Sequence, residues 1–130
     1  MSRETFEAEH RFLVETWQKT FDIGGEHHLK TVREEGTVDH VAFIVDDAVL
    51  TGALSPRTAA EVLHVIVREH PFWDCNHRTG TAYLLALMGR LGQRLRVPDA
   101  EVAEFVRRID AEGLSRDAVE AWVVGAFATG

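Results

Sequence analysis

The segment from His70 to Thr79, HPFWDCNHRT, has more chemically capable side chains at fixed spacing than any other part of the chain. Within nine positions it places two imidazoles, a carboxylate, an amide and a guanidinium, at His70, His77, Asp74, Asn76 and Arg78. This set comprises a proton acceptor, a ligand for a hard cation and donors for phosphoryl oxygens. The residue types therefore indicate a site that handles phosphate.

The residues before this segment predict a helix that ends at it. Ser55 is a good N-cap and Pro56 suits a first helical position, where its missing N–H is not needed. An apolar stripe at helical spacing then runs to about Glu69. Because Pro71 disfavours helical backbone at the preceding residue, His70 is predicted to lie at the helix C-terminus.

A second helix is predicted to follow the segment directly, beginning near 76–78 and ending at Gly92. It is apolar nearly all round, so we expect it at the centre of the fold. The first turn of a helix leaves its backbone N–H groups unpaired, with the positive end of the helix dipole behind them. The amides of Cys75, Asn76 and His77 are therefore predicted to form an anion site.

Three side chains complete the predicted chemistry. Arg78 supplies a planar set of donors suited to phosphate. Asp74 is placed to bind Mg²⁺, which takes few protein ligands and shares the rest with phosphates and water. His70 is a candidate general base, since imidazoles ordinarily titrate at about pH 6.5. Together these residues predict transfer from a nucleoside triphosphate to an alcohol, driven mainly by positioning and charge stabilisation.

The rest of the pattern predicts a mostly α fold. Helices are expected over 3–21 and 98–112 and after an N-cap at Ser115, and the polar stretch 26–36 is typical of a loop. Residues 38–50 are ambiguous, because VAFIV suits a strand while the wider spacing suits a helix; we expect a helix or a short extended flap. The whole predicts a compact single-domain helical bundle.

Composition sets the class of protein. The 130 residues fit one domain, 1–130, and the net charge of −7 disfavours a direct nucleic-acid partner. A single cysteine fits a reducing compartment, and the acidic start MSRETFEAEH has no apolar signal core. The longest apolar run, Ala82 to Met88, is too short to cross a membrane. We therefore expect a cytoplasmic protein with no membrane partner.

HPFWDCNHRT resembles the signature of the Fic/Doc superfamily, which reads approximately HPFx(D/E)GNGRxxR in the Fic branch and HPFxDGNKRT in the death-on-curing (Doc-like) branch. His70, Pro71, Phe72, Asp74, Asn76 and Arg78 match both forms, and Thr79 matches the second. The resemblance is strongest over residues 38–127 and favours the death-on-curing branch. It implies a helical bundle of the Fic/Doc type.

The resemblance also implies residue roles. His70 would be the general base, Asp74 would bind Mg²⁺, and Asn76, Arg78 and the amides of 75–77 would hold the phosphates of ATP or another nucleoside triphosphate. Phe72 would anchor the loop. The acceptor would be a Ser, Thr or Tyr hydroxyl of a protein. Fic-branch enzymes transfer AMP, whereas the death-on-curing branch transfers phosphate as a toxin acting on translation, for which an antitoxin is an expected partner.

Three positions depart from the family pattern. Cys75 replaces a glycine, so a side chain there would be strained if the backbone has positive φ. His77 replaces lysine or glycine. Thr81 stands where the Fic branch has a second arginine, associated with the γ-phosphate in AMP transfer, and this favours phosphate transfer or reduced activity.

A short segment before the motif resembles the inhibitory segment of many Fic proteins. Residues 31–36, TVREEG, fit the pattern [ST]xxxE[GN] and make Glu35 a candidate inhibitory residue. In that family the glutamate pairs with the second arginine, which is absent here. We therefore expect that substituting Glu35 leaves activity unchanged.

Two other classes of function stay open at this stage. One is a non-catalytic module that binds a nucleotide and docks a partner such as an antitoxin. The other is a metal-dependent hydrolase that uses His70, Asp74 and another histidine. A zinc site of His64, His70 and His77 lacks a recognised spacing, and His64 suits a partly buried core position better. Cys75 is either a passive small residue or a low-pKa thiol at a helix N-terminus.

Overall fold

The computed structural model describes the backbone of residues 2–24 and 32–130, and side chains in the first helix from 6 to 19. These ranges contain six helices: α1 (Ser2–Gly24), α2 (Glu35–Leu50), α3 (Pro56–Glu69), α4 (Asn76–Arg90), α5 (Asp99–Glu112) and α6 (Arg116–Ala126). They also contain two short strands, β1 (Gln93–Leu95) and β2 (Phe127–Thr129). The predicted mostly α fold is confirmed. His27 and His28 of the predicted loop 26–36, and Thr31 of the TVREEG segment, lie outside the described residues.

The ambiguous segment 38–50 is helical. Its buried positions recur every three or four residues along α2, at Val38, Val41, Ala42, Val45 and Ala48. An alternating strand would also bury Phe43, yet 57% of that residue is exposed. Tertiary packing of one helical face thus overrides the strand preference of VAFIV, and the helical alternative is confirmed.

The predicted helix ends agree with the observed backbone. Pro56 is the first residue of α3, and the Ser55 N–H donates to Thr58 Oγ1 at 3.3 Å. Ser115 caps α6, its Oγ accepting from the Ala118 N–H at 3.1 Å. Gly113 ends α5 with φ of 62°, a left-handed conformation that glycine adopts without steric cost.

α4 lies at the centre and packs against α3, α1 and α5. The approach to α3 is close at Gly80, where a Cβ would lie 3.1 Å from Leu63 Cδ1 and 3.3 Å from Val67 Cγ2. Hydrogen bonds between polar side chains connect α4 to α1. Tyr83 Oη donates to Glu9 Oε2 at 2.7 Å, and Arg90 Nη1 donates to Glu9 Oε1 at 2.6 Å. α4 is therefore held on two sides, and its N-terminus is fixed with it.

A small antiparallel sheet closes the end of the fold at which α4 finishes. Gln93 pairs with Thr129 and Leu95 pairs with Phe127. Strands of three residues carry too little periodicity to be recognised in a sequence, and this pair was not predicted. None of the helices in the described ranges is long and apolar enough to span a lipid bilayer.

Candidate functional site

The motif forms the connection between α3 and α4. α3 ends at His70, whose backbone is left-handed (φ 51°, ψ 62°), and α4 begins at Asn76 after a left-handed Cys75 (φ 61°, ψ 25°). In the described part of the chain these are the two non-glycine residues with positive φ. Such backbone costs about 1–3 kcal/mol per residue and is concentrated at functional sites. The predicted helix C-terminus at His70 and the predicted helix start are both observed.

The residues just before α2 hold the start of this loop. The N–H groups of Arg33 and Glu34 both donate to Pro71 O, at 2.8 and 2.9 Å. The Arg33 guanidinium donates to His70 O at 2.7 Å and to Glu69 O at 2.8 Å. It thereby caps carbonyls that the end of α3 leaves without helical partners. The sequence predicted a polar loop and a resemblance to an inhibitory segment here, but not these contacts with the motif.

Phe72 anchors the loop in the core, as predicted. It is fully buried and stacks on Trp17 at 4.6 Å between ring centroids and 10° between planes. Asn76 fixes the backbone of the same residue. Its Oδ1 accepts from the Phe72 N–H at 3.1 Å and its Nδ2 donates to Phe72 O at 2.9 Å. Asn76 is only 7% exposed and its side-chain amide is engaged by Phe72, so this side chain is not available to hold phosphate, which the resemblance had implied.

The start of α4 provides the predicted anion site in part. The first bond of the helical ladder runs from the Thr79 N–H to Cys75 O at 2.9 Å. The amides of residues 76–78 therefore precede that ladder, at the positive end of the dipole. The Cys75 amide differs, because it donates to Asp74 Oδ1 at 2.7 Å. Of the three amides predicted, those of Asn76 and His77 lie where an anion could accept from them, together with that of Arg78.

The Cys75 thiol is not activated. Burial raises its pKa, and the neighbouring Asp74 carboxylate raises it further, while Arg78 opposes both effects. A thiol with a raised pKa is mostly protonated at neutral pH and is a poor nucleophile. The low-pKa alternative is therefore wrong, and Cys75 is a small residue packed at the edge of the core.

Asp74 lies exposed beside the anion site, with one oxygen bonded to the Cys75 amide. One exposed carboxylate next to a phosphate-binding helix end fits Mg²⁺, which is held by one or two carboxylates together with substrate phosphates and water. Asp74 would hold such an ion. The ion would neutralise charge on the phosphates during transfer.

Arg78 is exposed and lines a cleft between α4 and α5. The cleft has a volume of about 460 Å³, within the range of about 300–1,000 Å³ usual for small-ligand sites. His77 and apolar side chains such as Leu85 and Val106 also line this cleft. Thr81, at the position of the family's second arginine, donates its hydroxyl to His77 O at 2.9 Å. An anionic group at the helix end and an apolar group in the cleft could be bound together.

A carboxylate that the sequence did not single out joins the two motif histidines. Asp110, in the last turn of α5, has Oδ2 3.0 Å from His77 Nε2 and 3.3 Å from His70 Nε2. Its pKa is lowered, mainly by the hydrogen bond from His77 and also by that from His70. One signal was available, because an acid near a helix C-terminus opposes the dipole and needs a compensating partner.

The remaining histidines lie elsewhere. His64 is half-buried with Nε2 3.0 Å from Leu114 O, which fits the predicted core position, so it does not join His70 and His77 in a zinc site. His40 is exposed on α2. His10 lies within 3.4 Å of both Glu35 and Asp39. The Glu35 carboxylate therefore faces α1.

Neither a model of a known protein family nor a curated protein matches this sequence. The functional inference therefore depends on the motif and on the geometry described above.

Proposed function

We propose that this chain is a Mg²⁺-dependent transferase of the Fic/Doc type, closest to the death-on-curing branch. It moves phosphate from ATP or another nucleoside triphosphate to a Ser, Thr or Tyr hydroxyl of a protein. By the same resemblance it acts as a cytoplasmic toxin on translation, with an antitoxin as a second partner. We propose no nucleic-acid or membrane partner.

One observation carries this proposal. The motif residues form a strained loop that ends at the N-terminus of α4, with Arg78 exposed beside the anion-binding amides. The His70 side chain lies at the same loop and is 41% exposed, so an incoming hydroxyl can reach it. A purely structural loop would have no need for an accessible base next to a phosphate-binding helix end.

The reaction follows from these positions. The amides of residues 76–78 and the Arg78 guanidinium hold phosphate oxygens, and the cleft beside them holds the nucleoside. His70 takes the proton of the acceptor hydroxyl as its oxygen attacks phosphorus. Most of the acceleration comes from alignment and from the fixed positive charge of the helix end and Arg78. Thr81, in place of a second arginine, favours transfer of the γ-phosphate over AMP.

Labelled ATP tests the proposal. The protein is incubated with Mg²⁺, a cell lysate as acceptor, and ATP labelled at either the α- or the γ-phosphate. We expect protein-bound label from γ-labelled ATP. Label from the α-position would instead identify the Fic-type AMP transfer, and label from neither position, with a working positive control, would exclude the enzyme.

Two histidine variants complete this experiment. His70→Ala should abolish transfer because it removes the base. His40→Ala is the matched control, since His40 is an exposed histidine on α2, and it should transfer like the wild type. Equal activity of the two variants would remove His70 from the mechanism.

A second candidate is a catalytically impaired module that binds a nucleotide and docks a partner. Two observations favour this candidate. The side-chain amide of Asn76 is engaged by Phe72, and the backbone of Cys75 is left-handed although the residue has a side chain. This candidate predicts heat of binding for Mg²⁺-ATP in titration calorimetry without transfer of either label. Abolition of binding by Arg78→Ala would place the nucleotide at the motif.

A further inference from the structure

Asp110 accepts hydrogen bonds from two imidazoles at once. His77 Nε2 lies 3.0 Å from Oδ2, and His70 Nε2 lies 3.3 Å from Oδ2 and 3.4 Å from Oδ1. The two rings stand edge to face with centroids 6.4 Å apart. Asp110 is 34% exposed in its side chain, so these bonds are partly protected from water.

The position of Asp110 in α5 is unfavourable by itself. The last turn of α5 contains no basic residue, and a carboxylate there faces the negative end of the helix dipole. The backbone of Asp110 is also tied to α3, since Arg68 Nη1 donates to its carbonyl at 3.3 Å. The two imidazoles therefore compensate the negative charge of the Asp110 carboxylate, which α5 holds beside the motif.

The protons can be assigned from the chemistry of the acceptor. An ionised carboxylate has no proton to donate, so each bonded Nε2 must carry one. In a neutral imidazole the other nitrogen, Nδ1, is then an acceptor. The contact therefore fixes both the ring orientation and the tautomer of His70.

We propose that Asp110 is a positioning residue that holds His70 through Nε2–H, so that Nδ1 is the nitrogen that takes the proton of the acceptor hydroxyl. This inference depends on the proposed function. By sharing its carboxylate with His77, Asp110 also ties the base to the helix end that binds phosphate.

The transfer step breaks two bonds and forms two. The acceptor O–H bond breaks, its proton goes to His70 Nδ1, and the oxygen forms a bond to the γ-phosphorus. The bond between that phosphorus and the β–γ bridging oxygen breaks, and its electron pair leaves with the nucleoside diphosphate. The resulting imidazolium keeps Nε2–H on Asp110, whose negative charge stabilises it, and later releases the Nδ1 proton to water.

The contact itself is tested by NMR of ¹⁵N-histidine-labelled protein, which reports the nitrogen that carries the proton. Spectra are recorded near pH 8.5, about two units above the ordinary titration of imidazole. In the wild type we expect the proton of His70 on Nε2 alone. In Asp110→Ala we expect a mixture of both tautomers, and an unchanged Nε2–H signal would overturn the contact.

Kinetics test what the contact does. For Asp110→Ala we expect kcat to fall about 10- to 100-fold, the cost of a misplaced reacting group, with KM for ATP unchanged. Asp110→Asn keeps an accepting oxygen and loses the charge, so its kcat should lie between those of Asp110→Ala and the wild type. It also serves if the alanine variant fails to fold. Asp117→Asn, the same change on the exposed first turn of α6, should leave kcat unchanged.

The outcomes separate the two proposals. If the tautomer changes in Asp110→Ala but the wild type transfers no label, Asp110 does position His70 and the proposed transferase activity is rejected. Active wild type with an unchanged kcat in both Asp110 variants would reject the positioning role and keep the transferase. A loss confined to KM would place Asp110 in nucleotide binding and would also overturn the positioning role.

Discussion

At the scale of single residues, the site is shaped by two side chains on left-handed backbone. His70 and Cys75 mark the two ends of the loop, and each has the conformation that glycine adopts most readily. Arg33 donates to the His70 carbonyl at 2.7 Å, and the Thr79 N–H donates to the Cys75 carbonyl at 2.9 Å. The loop therefore stores strain next to the groups proposed to act in transfer.

Relieving the strain at Cys75 should stabilise the fold. Cys75→Gly is expected to raise the free energy of unfolding by about 0.5–1 kcal/mol, because left-handed backbone costs an L side chain about 1–2 kcal/mol while glycine adds a smaller entropic cost. Urea denaturation measures the difference. Cys75→Ala retains a Cβ and should show no gain, so equal gains in both variants would contradict the explanation.

The lowered pKa of Asp110 predicts a pH dependence of stability. A carboxyl whose folded-state pKa lies below its ordinary value of 3.8 stabilises the fold above that pH, and the stabilisation is lost as the pH falls through the folded-state pKa. Asp110→Asn should therefore unfold more easily than the wild type at pH 6. The difference should shrink below pH 4, as measured by urea denaturation at each pH, whereas a difference independent of pH would contradict the lowered pKa.

At the scale of elements, the site depends on the junction of α3 and α4 and on the segment that braces it. α3 supplies His70 at its C-terminus and α4 supplies the anion-binding amides at its N-terminus. Gly80, the residue directly after the motif, permits the close approach of these helices. Val32 adds a single antiparallel bridge to Phe72. The geometry of the site is thus set by helix packing as much as by the motif.

The close approach at Gly80 can be tested directly. Gly80→Val should destabilise the protein by about 1–3 kcal/mol, because added carbons would overlap Leu63 and Val67. Gly89→Ala, on the same helix but with open space around its Cβ position, is the control. It should be neutral or should stabilise by up to about 1 kcal/mol through helix propensity. Similar losses in both variants, measured by thermal unfolding, would contradict this.

At the scale of the whole molecule, the candidate inhibitory residue and the motif histidines pair with different helices. Glu35 is 67% exposed in its side chain and pairs with His10 of α1. The motif histidines pair instead with Asp110 of α5. These different partners fit a chain that has the inhibitory pattern but lacks the second arginine with which its glutamate would pair.

Substitution of Glu35 should therefore leave the transferase unaffected. Glu35→Gly is expected to keep the wild-type rate of transfer, since its carboxylate contacts α1 and has no second arginine to engage. The rate is measured with γ-labelled ATP, and Glu35→Gln controls for the added flexibility of glycine. A large activation by both variants would show that Glu35 does inhibit.

The sequence predicted the helices and the motif well because both are encoded locally. Caps such as Ser55 and Ser115 and the apolar stripes fixed five helices within a few residues, and Pro71 placed His70 at a helix end. Non-local contacts could not be predicted in this way. Asp110 lies 40 residues from His70 in sequence, and Arg33 lies 37 residues from it on the other side. Only helix packing brings these residues to the motif.

The strand pair has a practical consequence for binding measurements. Residues 127–130 are fastened beside Gly92, where the Gly130 N–H donates to Gly92 O at 3.2 Å. The motif lies at the opposite end of α4, about 22 Å away along a helix of this length. A tether for a sensor surface, joined after residue 130, would thus lie far from the motif and leave the motif accessible to the analyte.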